Sequence, residues 1–260
     1  MSESIRVAVV GAAGRMGQQV VGAVRAAEDL ELVAELDAGD DVAAGVREAG
    51  ASVAVEFAVP SASRDNVRAI LDAGASAVVG TTGWTDEALA ELETYVSEVN
   101  ERRADAGEEP LGVLVAPNFA LSAVLAMSFA RQAAAYFESV EVVELHHPDK
   151  VDAPSGTALS TARGIAAARR EAGLADSPDA TETDPDGARG ANVDGVHVHA
   201  VRLRGLIAHE EVLLGNPGEQ LTIRTDSFDR ASFMPGVLLA ARQIGGRPGL
   251  TRGLDALLDV

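Results

Sequence analysis

Ile5-Arg6-Val7-Ala8-Val9-Val10-Gly11-Ala12-Ala13-Gly14-Arg15-Met16-Gly17 decides the fold. Residues 5–10 are mostly apolar and valine-rich, which reads as a buried strand. Three glycines spaced by three follow, and residues 18–27 read as a helix. Strand, glycine turn and helix are the context of a dinucleotide-binding fingerprint: glycine lets the backbone approach a pyrophosphate, and the amides at the helix N-terminus face it. The spacing differs from the commoner GxGxxG, so a purely structural tight turn stands as the alternative. Asp37, about 20 residues further on, favours the nucleotide reading, because an acidic residue there accepts hydrogen bonds from a ribose diol. Its carboxylate repels a 2′-phosphate, and Ala38 beside it supplies no compensating cation. NADH is therefore favoured over NADPH, although Arg15 could serve a 2′-phosphate.

Outward from this unit the same grammar repeats. Strands are expected at 30–36, 53–59, 77–79 and 111–115, with helices at 63–73, capped by Ser61 or Ser63, and at 86–100, whose acidic first turn suits the helix dipole. Strands alternating with helices imply an α/β fold with a doubly wound, Rossmann-like parallel sheet. Gly80-Thr81-Thr82-Gly83 and Ala116-Pro117-Asn118-Phe119 then fall at carboxyl ends of strands, where such sheets bind ligands.

Beyond 119 the pattern changes. A helix at 122–136, a strand at 140–145, a helix at 155–172 and strands at 196–203, 210–214 and 220–227 predict a second, α+β domain with an open mixed sheet. Residues 174–195 are rich in Asp, Pro, Gly and Thr and read as a long loop. A helix at 231–244 returns the chain to the first domain. The expected division is 1–118 plus 231–260 for dinucleotide binding, and 119–230 for substrate binding and oligomerisation.

Composition narrows the function. Of 260 residues, 47% are hydrophobic and 23% charged, enough apolar material for a core. The formal net charge of -19 repels nucleic acid. Abundant Asp and Glu, little lysine and many small residues resemble the surfaces of halophile proteins, for which low salt is destabilising. The chain contains no cysteine, which removes disulfides and thiolate chemistry and fits a cytoplasmic protein. No signal peptide is expected, since the N-terminus runs into a strand without a basic leader. The uncharged stretch 111–130 is long enough to span a bilayer, but Pro117, Asn118, Ser122 and Ser128 break it into strand, turn and helix.

One lysine, Lys150, occurs in the whole chain. It lies in Glu144-Leu145-His146-His147-Pro148-Asp149-Lys150-Val151-Asp152-Ala153-Pro154-Ser155-Gly156-Thr157, beside two of the five histidines. An ammonium can release a proton at ordinary pH where a guanidinium cannot, and histidine titrates near neutrality. Adjacent histidines in an extended segment point to opposite faces, so acid–base work fits better than metal binding, and no metal is expected. Asp149 and Asp152 could hold or orient Lys150; a solvated turn is the alternative for both and is favoured for Asp149. The start of the following helix at Ser155-Gly156-Thr157 offers amides to a carboxylate; simple helix capping would look the same.

These residues carry a family resemblance. ELHHPDKVDAPSGTAL at 144–159 resembles the signature of the 4-hydroxy-tetrahydrodipicolinate reductase (dihydrodipicolinate reductase) family of the diaminopimelate route to lysine. GAAGRMG at 11–17, GTTG at 80–83 and APNF at 116–119 are similar to family motifs in order and spacing, so the resemblance spans nearly the whole chain. It implies NAD(P)H-dependent reduction of a small cyclic dicarboxylate by a homotetramer assembled through the second domain. It implies His146 as proton donor or acceptor, Lys150 as proton donor, His147 as a substrate contact and Gly156 with Thr157 as the carboxylate-binding pair. Cofactor contacts would come from Gly11, Ala12, Ala13, Gly14, Arg15, Met16, Asp37, Gly80, Thr81, Thr82, Ala116, Pro117, Asn118 and Phe119. Positive groups for a dianionic substrate would be Lys150, His147 and the amides at 156–157, with Arg230 as a further candidate. The family often has Gly-Glu-His-Thr where this chain has Ala208-His209-Glu210-Glu211, and His209 is expected at the surface. Two other readings compete: another two-domain NAD(P)-dependent dehydrogenase of an amino acid or oxo acid, and a non-catalytic NADH-sensing protein.

Overall fold

The computed structural model describes residues 4–258. The chain divides into two compact units, one running to Phe119 and resuming at Phe233, the other Ala120–Ser232.

In the first unit the order is β1 (Ile5–Val10), α1 (Arg15–Ala26), β2 (Leu30–Leu36), α2 (Val42–Glu48), β3 (Val53–Glu56), α3 (Pro60–Asp72), β4 (Ser76–Val79), α4 (Asp86–Asp105) and β5 (Gly112–Val115). In the second it is α5 (Leu121–Ala134), β6 (Ser139–His146), α6 (Gly156–Glu171), β7 (Ala191–Val193), β8 (Val196–Arg202), β9 (Ala208–Asn216) and β10 (Glu219–Ser227). The chain returns to the first unit through a short 3-10 turn into α7 (Met234–Gln243) and β11 (Gly249–Arg252).

The first sheet has six strands in the order β11-β5-β4-β3-β1-β2, and every pairing is parallel. The strand order runs outward in both directions from β1 and β3, the doubly wound arrangement expected. β3, β4 and β5 are buried along their whole length, as helices on both faces of a parallel sheet require. Their apolar side chains join Val67, Ile70 and Leu71 of α3 and Leu92, Val96 and Val99 of α4 in one core.

The second sheet is mixed, ordered β10-β9-β6-β8-β7, with β6 and β8 parallel and the other pairs antiparallel. One face buries Val140, Val142, Val198, Val212 and Leu214 against Ala158, Ala162 and Ile165 of α6 and Ala130 and Ala134 of α5.

The differences from expectation are local. α3 begins at Pro60 behind Val59, so neither Ser61 nor Ser63 caps it; proline is pre-organised for the first helical position, and the Ser63 hydroxyl goes to Glu56 instead. β3 stops at Glu56, where its ladder with β4 ends, rather than at 59. α2 was not anticipated; Asp41 caps it by accepting from the Ala44 amide. β7 lies inside the expected loop, and β11 is a short edge strand paired with β5. Among the described residues no helix is long and apolar enough to cross a membrane.

Candidate functional site

At the carboxyl ends of β1, β2, β3 and β4 the first unit holds a cavity of about 720 Å³, within the range of small-molecule and cofactor pockets. Gly11, Gly14, Arg15, Met16, Asp37, Gly80, Thr81 and Thr82 line it. Ala12 and Ala13 do not. Ala12 is buried, and Ala13 acts through its amide, which donates to Asp37 Oδ2 at 2.5 Å. Ala116, Pro117, Asn118 and Phe119 also lie outside the lining. Phe119 is fully buried and reaches the cavity indirectly, packing at 5.8 Å against the ring of Phe57, which is part of the wall.

The turn after β1 is shaped for close approach. Gly11 has φ +83°, and a Cβ there would meet the Phe57 carbonyl at 2.4 Å. At Gly17 a Cβ would fall 2.0 Å from the Gly11 carbonyl, so α1 can press onto the turn only without a side chain at that position. Asp37 accepts a second hydrogen bond from the Ala38 amide at 2.8 Å; these backbone donors, Ala38 then Ala13, hold its carboxyl below the usual range. Asp40, on the same rim, accepts from the Asp37 amide. A dinucleotide fits this cradle: glycine backbone at the helix start, an ionised carboxylate at the end of β2, and hydroxyls at Thr81 and Thr82.

Beneath the lining sits Glu56, fully buried at the end of β3. Burial pushes its carboxyl up, against hydrogen bonds from Ser63 (3.0 Å), Asn66 (3.4 Å) and the Ala58 amide (3.3 Å). The Thr81 hydroxyl accepts from the Ala58 amide at 2.9 Å. Glu56 thus ties together three lining residues, Ala58, Asn66 and Thr81. A charge inside the apolar run Val53-Ala54-Val55-Glu56-Phe57 was the available signal for it.

In the second unit the cluster around Lys150 is a loop between β6 and α6. Alternation along β6 points Val140, Val142 and Glu144 inward, and Glu144 is fully buried. His146 Nδ1 donates to Glu144 Oε2 at 2.6 Å. Arg202, at the end of β8, forks onto the same carboxylate, Nη1 to Oε2 and Nη2 to Oε1, both at 2.7 Å. The Ser155 amide donates to Oε1 at 3.1 Å. Burial drives the Glu144 carboxyl upward, but the Arg202 and His146 hydrogen bonds outweigh it and leave it below the ordinary range. Burial also pulls His146 down, only partly offset by Glu144.

Lys150 Nζ donates to Asp152 Oδ1 at 2.7 Å, so Asp152 is the one of the two neighbouring aspartates that holds it. That hydrogen bond lowers Asp152. His147 Nδ1 is buried with no hydrogen-bond partner. Ser155 caps α6 by accepting from the Ala158 amide, which puts Gly156 and Thr157 in the first turn. The structure therefore brings His146, Lys150, Gly156 and Thr157 into one segment organised by Glu144, which the sequence reading did not single out.

His209 is not at the surface. It is buried on β9, its Nδ1 2.6 Å from Asp226 Oδ1 and its Nε2 accepting from the Ile207 amide. Glu210 beside it is also buried and stands opposite Glu144 in the β6–β9 ladder. Burial pushes Glu210 up to about 7. Both carboxylates occupy inward positions of their strands, a pattern legible once the strand register is known. Among the described residues no cluster of histidine and carboxylate side chains suits a metal ion. Part of the acidic loop is pinned: Arg189 pairs with Asp179 and Glu141, and His199 with Glu141.

Comparison with known proteins accounts for nearly the whole chain. Residues 5–119 match the family model described as dihydrodipicolinate reductase, N-terminus, and residues 122–258 the one described as dihydrodipicolinate reductase, C-terminus. A 4-hydroxy-tetrahydrodipicolinate reductase of Beutenbergia cavernae is 66% identical over 257 residues, 99% of this chain and 100% of the relative. One from Streptomyces coelicolor is 60% identical over 256 residues, covering 98% of each. Among solved structures, a dipicolinate-bound dihydrodipicolinate reductase from Paenisporosarcina sp. TG-14 superposes with a TM-score of 0.83 at 37% identity, covering 98% of this chain and 100% of that one. An amine dehydrogenase from Mycobacterium smegmatis shares the fold alone, with a TM-score of 0.62 at 13% identity over 96% of this chain and 95% of its own.

Proposed function

The chain belongs to the dihydrodipicolinate reductase family, and from that premise we propose which of its residues carry the reaction and with which cofactor. It is an NAD(P)H-dependent oxidoreductase that reduces 4-hydroxy-tetrahydrodipicolinate to tetrahydrodipicolinate in the diaminopimelate route to lysine. One substrate, one NAD(P)H and one proton give tetrahydrodipicolinate, NAD(P)+ and water. The cofactor supplies the hydride when bound.

The protein supplies binding, orientation and protons. Gly11, Gly14, Arg15 and Met16 receive the pyrophosphate at the start of α1, and Asp37 receives the ribose diol. Ala12 and Ala13 shape that turn. Gly80, Thr81 and Thr82 face the cofactor at the end of β4; Phe119 backs the Phe57 wall, and Ala116, Pro117 and Asn118 follow the end of β5 as further cofactor contacts. The ionised Asp37 supports NADH over NADPH.

His146 and Lys150 handle the proton that must balance the hydride at the other end of the conjugated ring system. The lowered His146 is neutral at pH 7, so its Nε2 accepts and relays. Lys150, as an ammonium on Asp152, is the donor. His147 and the first turn of α6, Gly156 and Thr157, hold the substrate carboxylates. The observation that carries this reading is the single β6–α6 loop that gathers His146, Lys150 and the capped start of α6. The test is NADH consumption on the freshly formed condensation product of pyruvate and aspartate semialdehyde. Lys150→Ala should lower turnover severely and leave the NADH dissociation constant near normal. Unchanged turnover would remove Lys150 from the mechanism. Oxidation of NADH by simple oxo acids alone would favour the general dehydrogenase reading, and binding without turnover the sensor.

We further infer a cytoplasmic homotetramer adapted to high salt. The exposed Leu203, Ile207, Leu221 and Phe228 of the second unit support assembly through that unit. The need for NAD(P)H supports the compartment, and the net charge of -19 supports the salt adaptation. Light scattering of the purified protein tests the assembly.

A further inference from the structure

We infer that Glu144 is the positioning residue of the proton-transfer loop: it fixes which nitrogen of His146 is open to the substrate and ties together the segments bearing Lys150 and Gly156-Thr157. This rests on the assignment of His146 made above.

A fully buried carboxylate is tolerated only with its charge and lone pairs satisfied. Glu144 meets that condition completely. Oε1 takes Arg202 Nη2 (2.7 Å) and the Ser155 amide (3.1 Å); Oε2 takes Arg202 Nη1 (2.7 Å) and His146 Nδ1 (2.6 Å). A forked guanidinium holds a carboxylate in its ionised, acceptor-only form. The Nδ1 atom must then carry hydrogen, and Nε2 is left for proton transfer.

The same clamp reaches further along the loop. Arg202 Nη2 also donates to the Asp152 carbonyl at 2.8 Å, and Asp152 holds Lys150. The Ser155 amide joins Glu144 to the residue that caps α6. The end of β6, the end of β8 and the start of α6 therefore meet at Glu144, and Arg202 adds the Lys150 loop to the same clamp. The charged groups that act on His146 are Glu144 on its own strand, Arg202 from β8 and Lys150 from the loop; Asp152 pairs with Lys150, and Glu210 from β9 stands opposite Glu144. Glu210 is raised to about 7, so near neutrality much of it carries its proton and Glu144 is the main anion beside the imidazole.

Glu144→Gln keeps the shape and removes the charge. It should lower kcat about a hundredfold, the scale of a small misplacement of a reacting group, with KM changed less. By NMR the His146 titration midpoint should fall, because the hydrogen bond and charge that raise it are gone. His197 and His199, elsewhere on the second sheet, should keep their signals and report that the unit is folded. Glu144→Asp, which keeps the charge, should recover part of kcat and of the midpoint. An unmoved His146 midpoint with normal kcat overturns the inference. A lowered midpoint with normal kcat supports Glu144 as the residue that governs His146 and instead overturns His146 as a proton-transfer group. Should Glu144→Gln not fold, Glu144→Gln/Arg202→Gln leaves no unpaired buried charge and carries the same two expectations.

Discussion

Thr161 Oγ1 lies 2.7 Å from Glu210 Oε1 and 3.1 Å from the Thr157 carbonyl oxygen. One hydroxyl hydrogen serves one acceptor. When Thr161 donates to the carbonyl, as helix geometry allows, Glu210 must be the donor on the other side and hold a proton. The raised carboxyl, at about 7, agrees. Between the ordinary 4.5 and about 7 the native state binds more protons than the unfolded chain. Stability therefore falls as pH rises through that window, by about 3 kcal/mol in all. Glu210→Gln mimics the protonated form and removes this loss. Urea unfolding should show the variant gaining on the parent at pH 8 and showing no advantage near pH 4.5. A gap of equal size at both pH values would mean that Glu210 does not titrate in the window.

The amides of Ala38 and Ala13 hold the Asp37 carboxylate in place and lower it further below the ordinary range, so it is ionised at neutral pH. Hydrogen bonds to a charged group are worth about 1.5–3 kcal/mol, so losing one contact to the ribose diol costs at least about tenfold in affinity. Asp37→Ala should raise the NADH dissociation constant by that factor. NADPH should weaken less, since its 2′-phosphate no longer faces a negative charge. Fluorescence titration with both cofactors gives the ratio. Equal weakening would refute the ribose role. A further loss of NADPH binding on adding Arg15→Ala would assign Arg15 to the 2′-phosphate.

Gly17 and Gly22 lie on the same helix and should respond oppositely to alanine. A Cβ on Gly17 meets the Gly11 carbonyl at 2.0 Å and Ala12 Cα at 2.8 Å, and neither backbone atom can yield without moving the turn. Overpacking of this kind costs about 1–3 kcal/mol, and here it also spoils the nucleotide cradle. Nothing lies within 4 Å of a Cβ on Gly22, so Gly22→Ala should stabilise α1 by about 0.5–1 kcal/mol through reduced backbone entropy. Thermal melts, with NADH binding for Gly17→Ala, check both. A harmless Gly17→Ala would show that α1 does not depend on this contact.

The sequence was legible where one local pattern dictates one structure. β1, its glycine turn and the start of α1 follow from thirteen residues, and Asp37 falls at the end of β2 where the alternation puts it. The Lys150 cluster was visible because lysine is absent elsewhere. What escaped depends on register across strands. Glu144, Glu210 and Arg202 meet because β6 lies between β8 and β9, and no local periodicity encodes that neighbourhood. His209 read as a surface residue for the same reason: its polarity is satisfied by Asp226 of β10, a partner 17 residues away. The short edge strand β11 carries too few residues for a period, and α2 is one capped pair of turns whose signal, Asp41, resembles loop sequence.

The net charge of -19 makes a last expectation quantitative. Several ion pairs join exposed side chains on both sides, such as Arg25 with Glu35 and Arg252 with Glu93, and exposed pairs contribute about 0–1 kcal/mol each. They cannot offset the repulsion of an acidic surface in dilute buffer, where the Debye length is about 30 Å at 0.01 M. Raising NaCl to 0.3 M should therefore lift the melting temperature steeply, since screening acts mainly below that concentration. A further rise above 1 M would reflect ion exclusion from the surface and is what adaptation to high salt adds. Melting curves from 0.01 to 3 M NaCl, repeated with sucrose in place of salt, separate the two. A flat profile from 0.01 to 0.3 M would show that the surface charges repel too weakly to matter, and the salt-adapted reading would fall with it.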